Sequence, residues 1–190
     1  MSGMWRAAAM LAVMGVAACS SPEPTYYTLQ PTEGATLPGG GARLIEVVRP
    51  GLAGYLDRSD IVLKQADYRL SVNSQVRWGE PLADMIGRVL AQDLTQRLPG
   101  SSVFSNDGAI GADPSVRVEI NVQRFDAEAD GSVRLVADVA VERGLSHTPF
   151  ASRAVTLQTA GGAGSGGLVA AMSVLLGELA DQVASDIARG

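Results

Sequence analysis

The chain has 190 residues, 46% of them apolar and only 5% aromatic, and a formal net charge of −5. That length suits one domain, and the acidic balance with scattered arginines provides no basic patch for nucleic acid. One Cys and one His exclude a Cys/His zinc cluster and a disulfide framework within the chain, so the composition favours a non-enzyme.

In chain order, the first element is an address. Residues 1–18 carry a positive charge at Arg6 and an apolar run over residues 7–18. The run is shorter than the roughly 20 apolar residues a transmembrane helix needs and fits the apolar core of a signal peptide. It ends Val16-Ala17-Ala18-Cys19, which resembles the bacterial lipobox. By that resemblance the Cys19 thiol takes a diacylglycerol thioether, and cleavage leaves Cys19 as the N-terminus with palmitate-type acyl chains. Several chains, at about 0.8 kcal/mol per buried methylene, anchor a protein where one alone does not. Ser20 and Ser21 follow, similar to lipoproteins sorted to the outer membrane of Gram-negative bacteria and facing the periplasm. Residues 19–42, dominated by Pro, Gly, Ser and Thr, read as lipid anchor and flexible tether, with an extended docking segment at Tyr26-Tyr27-Thr28-Leu29.

Residues 43–190 read as a single domain. Residues 43–49 form a β-branched strand that stops at Pro50. Residues 61–64 and 68–76 form two strands around a turn at Ala66-Asp67, and the alternation of Tyr68, Leu70 and Val72 predicts one buried face. Pro81 opens a helix that reaches Leu98. Leu82, Met85, Ile86, Val89, Leu90 and Leu94 make its apolar stripe, with Arg88, Gln92, Asp93 and Gln96 off the stripe. Pro99-Gly100 ends it. Over residues 115–125, Val116, Val118, Ile120 and Val122 alternate and the period slips at Phe125, which predicts a bulge or a strand end. A turn at Ala129-Asp130-Gly131 and a strand carrying Val133, Leu135, Ala137, Val139 and Val141 complete a hairpin. A strand over 152–159 and a helix over 168–188 close the chain, the helix with Leu168, Met172, Leu175, Leu179, Val183 and Ile187 on one side. The expected fold class is α+β, an antiparallel or mixed sheet with two amphipathic helices packed on one face.

Motifs for chemistry are sparse. Gly162, Gly164 and Gly167 match GxGxxG between a strand and a helix. A dinucleotide site also needs a following strand with an acid near its end, and no Gly-Lys-Ser/Thr is present. The stretch therefore reads as a flexible glycine linker. His147, beside Pro149, reads as a loop residue rather than a base. Asp126, Glu128 and Asp130 lack the spacing of a calcium loop and read as a solvated acidic edge. Trp78 reads as a core anchor joining a strand to the first helix. No catalytic residue, cofactor or metal is expected.

Several segments carry a resemblance. Tyr26-Tyr27-Thr28-Leu29 after the lipobox, Val47-Val48-Arg49-Pro50, Tyr55-Leu56-Asp57-Arg58 with Ile61-Val62, Arg77-Trp78-Gly79-Glu80-Pro81-Leu82 and the strand around Val118 resemble the PqiC-type ABC-transport auxiliary lipoproteins. The sequence departs from that pattern at Ala53-Gly54, Ser59-Asp60 and Gly79, all loop positions. The resemblance implies a non-catalytic docking or adaptor subunit of an MCE/ABC-type lipid transport system that supports membrane integrity. Its partners would be the membrane, through the anchor, and MCE-domain and ABC-transporter or permease subunits; copies could also form a homo-oligomer. The residues expected at partner or assembly contacts are Tyr55, Asp57, Arg58, Arg77 and Trp78, gathered at one end of the sheet, with Asp57 accepting from Arg77 above Trp78. The alternative function is a lipid-binding periplasmic carrier with a cavity between sheet and helices, which the small Ala83, Ala137 and Ala171 would permit. An envelope hydrolase would need a nucleophile elbow, and none is seen.

Overall fold

The computed structural model describes residues 23–37, 43–106, 112–144 and 148–190. In chain order the elements are β1 (Thr25–Tyr27), β2 (Leu44–Val47), β3 (Gly51–Leu52), β4 (Asp60–Lys64), a 3-10 turn (Ala66–Tyr68), β5 (Leu70–Trp78), α1 (Leu82–Arg97), β6 (Ser102–Ser105), β7 (Val116–Ala127), β8 (Ser132–Arg143), β9 (Thr148–Ala160) and α2 (Gly164–Arg189). The α+β class follows the expectation.

One mixed sheet is organised around β7. Along one edge β7 pairs antiparallel with β8, and β8 with β9. Along the other edge β2, β3 and β4 pair with it in succession, all parallel, from Ile45↔Val116 through Leu52↔Val122 to Leu63↔Ala127. The sheet thus forks. At the start of β7, β2 carries β6; at its end, β4 carries β5 and β5 carries β1. The three short strands β1, β3 and β6 were not expected; each is too brief to show a period and exists only through its partner.

The slip at Phe125 is a bulge within a continuing strand, because the β7–β8 register shifts between Val122 and Arg124. The shift lets Val116, Val118, Ile120, Val122, Phe125 and Ala127 all be buried. Val133, Leu135, Ala137, Val139 and Val141 of β8 are buried too, as are both predicted helix stripes. The helices pack against each other, α1 over β2 and β6 and α2 over β7, β8 and β9, so both lie on one sheet face. The 26-residue α2 is long and apolar enough to cross a bilayer, yet its apolar side is spent on this core.

Three expectations are corrected. Tyr68, Leu70 and Val72 do alternate, but their side chains are exposed, because among the described residues no element buries them. Asp93, read as off the stripe, is fully buried. Residues 25–37, read as tether, are built into the domain: β1 pairs with β5, Leu29 is fully buried, and the Leu37 N–H donates to the Arg97 carbonyl at 2.7 Å.

Candidate functional site

The family-like segments meet at one end of the sheet. The loop after β3 holds Asp57, Arg58 and Ser59, and the β5–α1 junction holds Trp78, Glu80, Pro81 and Leu82; together they line a surface groove of about 360 Å³. The backbone brings them together, since the Trp78 N–H donates to the Ser59 carbonyl at 2.7 Å. Trp78 is buried at the base as part of the core, while Asp57 and Arg58 stand exposed at the rim. Glu80 and Arg88 form an ion pair beside it. The expected Asp57–Arg77 contact is not made. Asp60, directly opposite Arg77 in the β4–β5 pair, takes that guanidinium at 3.5 Å, because cross-strand register outcompetes a loop residue.

Tyr55 points elsewhere. Its hydroxyl donates to Asp126, which is buried. Arg124 donates to Asp126 at 2.5 Å and to Glu128 at 2.9 Å, and Arg134 pairs with Glu128 at 3.0 Å. Burial, then the Asp126 carboxylate, raises the Tyr55 phenol above its ordinary range, so it stays a donor. Asp126 and Glu128 are therefore wired into an ionic network rather than forming a solvated acidic edge. Asp130 is the turn residue, accepting from the Ser132 N–H and hydroxyl, contacts that hold its carboxyl below the usual carboxylate range. Among the described residues no three acidic, His or Cys side chains converge as metal ligands.

Composition and period did not reveal a third cluster, which fastens the N-terminal segment at Thr32. Arg97, 1% exposed, donates to Asp181 at 2.5 Å and to the carbonyls of Thr32, Asp93 and Gly177 at 3.1 Å each. Asp93 accepts from the Thr32 N–H at 2.8 Å. Gly177 permits this closeness, since a Cβ there would collide with Thr32. One Asp93 oxygen is buried without a partner, and burial pushes the carboxyl up to about 6 despite Thr32 and Arg97. The one available signal was an Asp and an Arg four apart on a helix.

The glycine stretch is a packed turn, not a linker. The Gly162 N–H donates to the Gly167 carbonyl at 3.3 Å, and α2 already begins at Gly164. A Cβ at Gly162 would sit 2.8 Å from the Gly167 Cα, so glycine serves close backbone contact here. Cys19 and His147 lie outside the described residues.

Residues 27–184 match the family model of the ABC-type transport auxiliary lipoprotein component. The chain belongs to this family. The intermembrane transport lipoprotein PqiC of Escherichia coli K12 is 27% identical over 127 residues, 65% of this chain and 66% of that protein, and the Shigella flexneri PqiC matches equally. The matched region is thus just under two thirds of the relatives' length. Among solved structures, an uncharacterized protein superposes with a TM-score of 0.73 at 19% identity, covering 87% of this chain and 99% of that one. A Xanthomonas campestris protein gives 0.66 at 17%, covering 83% and 92%. These two likenesses concern the fold. The family match begins at Tyr27, so the segment fastened by Asp93 and Arg97 falls within the family's own domain.

Proposed function

We propose that this auxiliary lipoprotein is a docking or adaptor subunit of an MCE/ABC-type lipid transport system, held at the outer membrane by acylated Cys19 and facing the periplasm. It works without catalysis, presenting a surface to MCE-domain or permease subunits. The observation that carries the reading is the convergence of the two most family-like segments on the groove above Trp78, with Asp57 and Arg58 exposed at its rim. A buried aromatic base with a charged rim suits a protein contact, in which the rim sets orientation and association rate.

The carrier alternative has one feature in its favour. A second groove of about 350 Å³ is lined by Ile61, Leu63, Val76 and Leu168 with Lys64 at its edge. That volume is at the lower end of pockets for drug-sized ligands, and a diacyl lipid is larger. Photo-crosslinking in cells separates the two. A crosslinker placed at Arg58 is expected to capture a transport subunit, and one at the exposed Gln96 of α1 is not. Capture of no protein from Arg58, with lipid recovered on the purified chain by native mass spectrometry, would favour the carrier.

A further inference from the structure

We propose that the β4–β5 hairpin tip is a second membrane contact: Tyr68, Leu70 and Val72 rest in the headgroup layer of the same lipid surface that holds the Cys19 anchor. The inference rests on the acylated-Cys19 reading. Tyr68 is 101% exposed, Leu70 48% and Val72 44%, the largest apolar exposure gathered in one place among the described residues. Leu70 lies opposite Lys64 and Val72 opposite Val62 in the antiparallel pair, so the apolar side chains share a face with the chain's only lysine. β4 pairs with β7 at Leu63↔Ala127, and the hairpin runs on past that point.

The chain's own path says what covers this tip. β1 runs parallel to β5 with Thr25 level with Val76, so the polypeptide enters β1 from the hairpin side. Cys19 lies six residues before Thr25, at most about 20 Å of extended chain. Six residues of β5, from Val76 back to Leu70, span about the same distance. Because residues 25–37 belong to the domain, little tether remains, and the anchor reaches no farther than the level of the tip. A domain held that close presents this end to the bilayer.

The chemistry fits a lipid surface. Tyr has an apolar ring with a polar end and suits the headgroup level. Lys64 supplies a cation beside it for anionic headgroups; the other cation of the tip, Arg69, pairs with Asp67 at 3.0 Å. Asp67 and Tyr68 both hold φ +65, a costly conformation for a bulky residue, and it keeps the ring directed away from the sheet. With the anchor already inserted, even a weak second contact is intramolecular and forms readily.

The test uses the full acylated chain in phosphatidylethanolamine/phosphatidylglycerol vesicles in which part of the lipid is brominated in its acyl chains. Cys19 is the chain's only cysteine and its sulfur is taken by the thioether, so Val72→Cys offers a single thiol for an environment-sensitive fluorophore. Ser102→Cys, in the β6 branch at the other end of β7, is the control. The position-72 label is expected to shift to the blue and lose most of its emission to bromine, while the position-102 label keeps its emission. Adding Tyr68→Asp to Val72→Cys should restore emission with an unchanged thermal melt, since the Tyr68 side chain is fully exposed among the described residues. Acylated protein with an unquenched position-72 label overturns the proposal and leaves the anchor standing. Self-quenching between position-72 labels, with no bromine effect, overturns it in favour of pairing between copies. An N-terminal peptide mass without acyl chains overturns both.

Discussion

At the residue scale, two polar contacts that tie the domain together span long stretches of sequence, which is why neither was legible. Tyr55 finds Asp126 across 71 residues, and Arg97 finds Asp181 across 84. Tyr55→Phe leaves a buried carboxylate oxygen without its donor and should cost about 1–3 kcal/mol; urea unfolding measures it, and a loss below the error of that method would contradict the contact. Asp57→Ala should change stability by no more than about 0.5 kcal/mol, because the side chain is exposed. Asp93 predicts a pH dependence. Its carboxyl has an ordinary value of 3.8 and sits at about 6 in the fold, so between those values the folded state holds the extra proton. The stability from this group is fully present below about pH 4 and declines as pH rises through about 6. Compared with Asp93→Asn, which keeps an acceptor for Thr32, the parent should lose about 3 kcal/mol at most over that window. A stability difference that stays flat from pH 4 to pH 7 would contradict this.

At the element scale, period did most of the work and also misled once. Both helices and the β7–β8 hairpin, with its bulge, were readable because long runs repeat at 3.6 or 2 residues. The β5 alternation correctly said which side chains share a face. It could not say whether anything covers that face, and among the described residues Tyr68, Leu70 and Val72 stay exposed. The packed segment over residues 25–37 was hidden for a different reason: its composition is that of a linker, while its order comes from Asp93 and Arg97 far along the chain. Two truncations test these assignments. Leu90→Ala in α1 and Leu29→Ala in the N-terminal segment each remove a fully buried side chain and should each cost about 2–5 kcal/mol. Thermal melts decide it. An unchanged melt for Leu29→Ala would mean that the segment is tether after all.

At the scale of the whole molecule, the fastening of residues 25–37 into the domain leaves only a short stretch of chain back to Cys19, so that on the proposed acylation of Cys19 the domain stands close to the membrane, with Asp57 and Arg58 exposed at the groove rim. The groove was half legible from sequence. Both its segments stood out, and so did their meeting at one end of the sheet, but the Asp60–Arg77 register that joins them did not. Cys19→Ser should abolish fatty-acid labelling, since no other thiol exists in the chain; undiminished label on the variant would remove the anchor from the account. The central claim, a docking subunit, is tested most directly by purifying the intact lipoprotein from solubilised membranes and identifying what comes with it. The account predicts an MCE-domain or ABC-transporter subunit that co-purifies with the parent and is depleted with an Asp57→Lys, Arg58→Glu variant of unchanged melt. Recovery of the folded, acylated chain with no transport subunit would contradict it.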